Sequence, residues 1–179
     1  MIPMGFFQKL FGKPEQSAPA PAPAPQSSGP IQLFAPLDGQ AVPITEVSDP
    51  TFGEKILGDG IAIKPSAGKV LAPCDGTVEQ IFETGHAVTL TSLGGAEILI
   101  HVGLDTVELK GKHYTIHAHD GDKVKTGDLL IEFDPQAIAA EGYDIITPIV
   151  ICNSDDYSAI KPHSGQMVAA GDLILELEK

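Results

Sequence analysis

From Ile31 onward, apolar residues come in short runs broken by Gly, Pro, Asp and Ser. IQLF is followed by PLDG, GIAIK by PSAG, KVLA by PCDG, TVEQIF by ETG and HAVTLT by SLGG. YTIHA, KV, LLIEF, IITPIV, QMV and LILEL come later. Runs of this length, bounded by turn residues, predict an all-β antiparallel sandwich or barrel. The most apolar stretch is AEILIHVGLDTVE (96–108), whose Ile98, Leu99 and Ile100 predict a strand buried on both faces. Side chains alternate along a strand, so His101 shares a face with Leu99 and sits where the buried strand surfaces.

Helical signals are few. Ser48-Asp49-Pro50 predicts one capped turn through Glu54-Lys55, and Asp134-Pro135 followed by QAIAAE and Gly142 predicts a capped helix of about two turns. HDGDKVKTGDLLIEFD (119–134) aligns without gaps onto HSGQMVAAGDLILELE (163–178), and APLDG (35–39) recurs as APCDG (72–76). Repetition at this level predicts two related β units packed face to face with pseudo-twofold character. His119 and His163 match in the alignment and are read as turn residues.

The chain ahead of Ile31 differs in kind. Residues 1–13, MIPMGFFQKLFGK, place Met4, Phe7, Leu10 and Phe11 at helical spacing beside Lys9 and Lys13, the pattern of a small amphipathic foot suited to peripheral membrane contact or of a frayed start. Residues 14–30 are an Ala/Pro-rich linker that favours extended polyproline conformations and cannot form a core. The division is therefore 1–13 amphipathic segment, 14–30 disordered linker and 31–179 folded domain.

The 179 residues are 42% hydrophobic and carry a formal charge of −13 at pH 7. This acidity argues against nucleic acid as a partner and favours basic protein surfaces. Cys74 and Cys152 lack metal-motif spacing and predict reduced thiols. No run reaches transmembrane length and the start lacks a secretory pattern, so the expected location is cytoplasmic, peripheral to the inner membrane face if the foot binds there.

Closing the hairpin of HAVTLT and EILIH about Gly94 places His86 opposite His101. Imidazole is a nucleophile near neutrality, and a second imidazole can steady an incoming phosphate. The alternative use is metal binding, which needs further ligands, with Asp105, His117 and His119 the nearby candidates. The sequence has no nucleophile-elbow serine, phosphate-binding G-x-x-x-x-G-K-[ST] loop or HExxH.

GDGIAIKP (58–65), APCDGTVEQIFETGHA (72–87), LIHVGLDTVELKG (99–111), GDKVKTGDLLIEFD (121–134) and TPIVICN (147–153) together resemble the glucose-type EIIA phosphocarrier family of the phosphoenolpyruvate-dependent sugar phosphotransferase system. The resemblance spans nearly all of residues 31–179. It implies a duplicated β-sandwich in which His101 accepts a phosphoryl group on Nε2 from phospho-HPr and passes it to an EIIB cysteine of a sugar permease. It further implies that His86 stabilises the phosphate, Thr84 orients His86, the Gly103 carbonyl holds the other His101 nitrogen, and Asp105 helps orient the partner. Phe52, Leu57, Phe82, Val88, Leu99 and Val107 match the family's partner-binding apolar patch, with Val88 and Leu99 standing where other members carry Phe. Asp49, Glu54 and Asp105 form the acidic rim. No cofactor is expected, although zinc could bridge His86 and His101 in a complex. The unphosphorylated form could also bind regulatory targets.

Two rivals stand beside this resemblance. A lipoyl or biotinyl carrier domain shares the G-D-x-V-x-x-G-D-x-L pattern and the Ala-Pro linker, but lacks a suitable lysine, for which Lys110-Gly111-Lys112 is a poor substitute. A lysostaphin-type zinc peptidase would use His117-Ala118-His119 with His101 and Asp105, which have its H-x-x-x-D spacing.

Overall fold

The computed structural model describes residues 29–179, so the foot and most of the linker lie outside the described residues. Every strand expected from the hydrophobic pattern is present. Fourteen strands are present among the described residues, with two helices, α1 (Pro50–Gly53) and α2 (Pro135–Ala140), and short 3-10 turns. Both helices start as their sequences dictate. Asp49 accepts from the Thr51 amide at 3.0 Å and Asp134 from the Ala137 amide at 3.0 Å, each ahead of an N1 proline. Two strands escaped the sequence pattern, β2 (Gly39–Pro43) and β12 (Ala159–Pro162). Both end in proline and carry only two adjacent apolar residues ahead of it or of a lysine, and it is pairing with neighbours that makes them strands.

The others are β1 (Ile31–Phe34), β3 (Asp59–Pro65), β4 (Lys69–Leu71), β5 (Gly76–Ile81), β6 (Ala87–Ser92), β7 (Glu97–His101), β8 (Tyr114–Ile116), β9 (Lys123–Val124), β10 (Leu129–Phe133), β11 (Thr147–Ile151), β13 (Gln166–Val168) and β14 (Leu173–Glu178). They form one eight-stranded sheet in the order β13-β2-β3-β11-β7-β6-β5-β9 and two three-stranded sheets, β1-β14-β12 and β4-β10-β8. The large sheet reads equivalently from either end, with β13 matching β9, β2 matching β5, β3 matching β6 and β11 matching β7. Duplication is confirmed, but the halves do not pack as two separate units face to face. They join edge to edge through the antiparallel β7–β11 pair, because each half alone would leave an apolar edge unpaired.

Hydrogen bonds show why the two sequence repeats belong together. In one half Asp38 of APLDG accepts from the Ala170 amide at 2.7 Å, while the Gly171 amide donates to the Ala35 carbonyl at 2.9 Å. In the other, Asp75 of APCDG accepts from the Thr126 amide at 2.8 Å and the Gly127 amide donates to the Ala72 carbonyl at 2.9 Å. Each aspartate thus locks the Gly-Asp turn of its own half. The ungapped alignment misplaces one histidine, however. His163 meets Glu176 at 3.1 Å, and the residue that meets the corresponding Glu132, at 2.7 Å, is His117 rather than His119. The stretch from His117 to Val124 is two residues longer than the matching one from His163 to Val168, which an ungapped comparison cannot register.

The large sheet is buried on both faces at its centre. Ile98 and Ile100 enter the main core with Ile61, Ile63, Ile149 and Ile151. Leu99 joins a second cluster with Val42, Phe52, Ala87 and Val150. That second face carries the site.

Candidate functional site

His101 ends β7 on the Leu99 face and is half-buried. The observed β6–β7 register pairs Ala87, not His86, with His101, one residue from the expected closure. His86 precedes β6, in the turn that the Gly85 amide closes on the Phe82 carbonyl at 2.7 Å. Freed from strand alternation, its ring turns to the His101 side although Val88 next to it enters the main core. The two imidazole centroids lie 5.0 Å apart at 77°. Gly85 has φ +73°, and a Cβ there would lie 2.8 Å from the Tyr114 Cβ, so this turn needs glycine.

Each ring is oriented through its Nδ1. His101 Nδ1 lies 2.7 Å from the Gly103 carbonyl; only a protonated Nδ1 can bond to it, so in the neutral ring Nε2 carries the free lone pair. His86 Nδ1 is hydrogen-bonded to Thr84 Oγ1. With the hydroxyl donating, Nε2 of His86 carries the proton and can donate. Phe52, set by α1, tilts against His101 at 5.0 Å, and Phe82 meets His86 edge-on at 5.4 Å. Burial, then the neighbouring His101, hold His86 down to about 4. Burial also lowers His101, opposed by the Gly103 carbonyl and by the Asp49 and Asp105 charges. Both rings are therefore neutral at pH 7.

The depressed His86 value makes stability pH-dependent. Above the ordinary value of 6.5 both folded and unfolded chains are neutral at this residue and it contributes nothing. As pH falls below 6.5, the unfolded chain takes a proton that the native chain refuses, so stability is lost. The loss is on the order of 2 kcal/mol at pH 5. Urea unfolding of His86→Gln is expected to show that much less decline between pH 7 and 5 than the unsubstituted protein; coincident pH slopes would contradict this.

Gly103 has φ +88°, and a Cβ there would sit 2.6 Å from Thr106 Cγ2 and 3.1 Å from the Asp144 carbonyl. Gly103→Ala is expected to cost about 2 kcal/mol in urea unfolding, from left-handed backbone strain and the clash, and to disturb the carbonyl that holds His101. An unchanged midpoint would argue against it.

Around the pair, Leu57 and Val107 are exposed at 41% and 49%, while Phe52 and Leu99 are buried and Phe82 is partly buried. Val88 is fully buried in the main core and offers no surface to a partner, a correction that follows from its lying on the opposite face of β6 to Ala87. Ile56, 68% exposed beside Leu57, was not singled out by the sequence pattern. Asp105 and Glu54 are exposed and Asp49 is half-exposed. Thr106, Tyr114 and Asp144 also hold the site; their roles run through backbone carbonyls, and no local pattern signals them.

The rival residue sets do not assemble. His117 is paired with Glu132, and His119 faces outward beside Asp122. No group of three His, Cys, Asp or Glu among the described residues is placed to hold a metal ion. Lys112 is paired with Glu141.

A duplicated all-β domain with two neutral histidines meeting on one sheet face defines a phosphocarrier class. Residues 31–157 match the model of the phosphoenolpyruvate-dependent sugar phosphotransferase system EIIA 1 family, and the chain belongs to that family. It is 42% identical over 176 residues to the glucose-specific EIIA component of Haemophilus influenzae, covering 98% of this chain and 100% of that one. It is 50% identical over 145 residues to the β-glucoside-specific EIIBCA component of Dickeya chrysanthemi, covering 81% of this chain and 23% of the relative's length. The solved glucose permease IIA from Mycoplasma capricolum superposes with a TM-score of 0.75 at 33% identity, covering 82% of this chain and 95% of that one. The chain is thus a phosphotransferase component of the sugar phosphotransferase system, and the peptidase and carrier-domain alternatives find no support.

Proposed function

We propose that His101 Nε2 is the phosphoryl acceptor, taking the group from phospho-HPr and passing it to a cysteine of EIIB. The observation that carries this is the His101 Nδ1–Gly103 hydrogen bond at 2.7 Å, which leaves the Nε2 lone pair free beside a neutral His86. The N–P bond of the donor phosphohistidine breaks as the His101 Nε2 lone pair forms a new one. In the second step that bond breaks and a thiolate forms an S–P bond. No proton need leave His101, because Nδ1–H stays on the carbonyl. His86 Nε2–H donates to a phosphoryl oxygen, Thr84 sets that tautomer, and catalysis is positioning with charge stabilisation.

An EIIB partner is supported by the Dickeya chrysanthemi relative, whose EIIBCA name joins EIIB and EIIA. Leu57, Val107 and the partly buried Phe82 offer the apolar contact over a floor that includes Phe52 and Leu99, and Asp49, Glu54 and Asp105 meet a basic partner at its rim. Two histidines supply two zinc ligands, so a zinc ion here would need the rest from a partner. No helix among the described residues is long and apolar enough to cross a membrane. The reading places transfer on the cytoplasmic side, with residues 1–13 as a peripheral contact.

The test is intact-mass measurement after mixing the protein with phosphorylated HPr. The expected result is an acid-labile gain of one phosphoryl group, located to the peptide bearing His101. No gain, or a gain elsewhere, would overturn the assignment.

A further inference from the structure

Three successive peptide planes follow His101, and each is pinned by a different part of the chain. The Val102 amide donates to the His86 carbonyl at 2.6 Å. The Val102 carbonyl, in the next plane, accepts from Thr106 Oγ1 at 2.7 Å and from the Tyr114 hydroxyl at 2.8 Å. The Leu104 amide donates to the Asp144 carbonyl at 2.9 Å, fixing the plane whose own carbonyl takes His101 Nδ1. Of the donors and acceptors in this chain of contacts, Tyr114 alone reaches in as a side chain from the neighbouring sheet. Its Cβ also faces the Gly85 position, next to His86. One residue of β8 therefore braces both the turn that aims His86 and the loop that orients His101.

We infer that Tyr114 is a positioning residue for phosphoryl transfer, its hydroxyl holding the Val102–Gly103 peptide so that the Gly103 carbonyl keeps the His101 ring aimed. This rests on His101 being the acceptor. A purely structural role would not need the hydroxyl. The ring already packs against Phe133 at 6.4 Å and 28°, and Thr106 satisfies the Val102 carbonyl without it. Burial raises the Tyr114 phenol, which stays a neutral donor.

The test uses the full chain as Tyr114→Phe, with His101→Ala and Tyr157→Phe alongside. Tyr157 is a control because its buried hydroxyl meets no hydrogen-bond partner among the described residues. Phosphorylated HPr is the donor, and three quantities are read: turnover against donor concentration, the ring ¹⁵N signals of His101, and the melting temperature. Tyr114→Phe should lower kcat about fivefold, the effect of one net hydrogen bond, with the KM for HPr unchanged. The His101 Nδ1 and Nε2 signals should move toward tautomer averaging, and Tyr157→Phe should match wild type in transfer. Unchanged kcat and ring signals in Tyr114→Phe overturn the inference. So does a slower Tyr114→Phe whose ring signals are unchanged, since that marks a merely structural contribution. If wild type takes no phosphoryl group, or His101→Ala still takes it, the acceptor assignment itself fails, which separates the two failures.

Discussion

His101→Gln is expected to take no phosphoryl group from phosphorylated HPr. Glutamine preserves the approximate size and polarity of the residue, so the half-buried strand end should tolerate it. Its amide nitrogen, however, has its lone pair delocalised into the carbonyl and cannot attack phosphorus. Loss of a nucleophile in a positioned site costs about 10⁴-fold or more in rate, and intact mass would read it as absence of the acid-labile species. The remaining histidines make the test sharp. His113, His117 and His163 are each engaged by a glutamate, at 2.6 Å, 2.7 Å and 3.1 Å, and His119 stands outward from the turn before β9. A phosphoryl group that persists in His101→Gln would have to reside on one of these or on His86, and the assignment would be lost.

His86→Ala is expected to separate the two half-reactions. The His101 nucleophile, its Gly103 anchor and its neutral state all survive, so the variant should still gain the phosphoryl group. What disappears is a preorganised N–H donor in a water-poor site, which is most valuable while the phosphoryl group is between partners. Removing such a donor typically costs about 10²–10³-fold. The measurement is transfer from phosphorylated His86→Ala to EIIB, followed by loss of its mass gain. Onward transfer at the wild-type rate would remove His86 from the mechanism. Thr84→Val should give a smaller defect of the same kind, because it frees the His86 tautomer without removing the ring.

Physical reasons separate what was legible in the chain from what was not. Strand positions were legible because burial imposes a local rhythm and the breaks are made by residues whose backbone or side chain favours turns. The caps at Asp49 and Asp134 were equally local, since each aspartate accepts from an amide no more than three residues away. His101 could be placed on the Leu99 face from alternation alone. His86 could not, since it lies just outside β6 and a turn, rather than the pleat, decides where its ring goes. Val88 was misplaced for the opposite reason: it lies inside β6, where the pleat turns it to the face opposite Ala87. One residue of register separates a partner-facing side chain from one at the centre of the core. The partnership of His117 with Glu132 needed the loop lengths of both halves.

By itself, then, the sequence determined an all-β domain of short strands, its two capped helices, its duplication and the histidine at the end of its most apolar strand. These follow from contacts among near neighbours and from periodicity, which any stretch of chain carries within itself. Tertiary structure alone decided that the halves share one continuous sheet, that the turn before β6 rather than its pleat brings the His86 ring to 5.0 Å from His101 at the end of β7, and that Tyr114 and Asp144 brace the backbone that follows His101. Those contacts join residues distant in the chain through main-chain carbonyls common to every residue type, so no residue pattern announces them until the strands have paired.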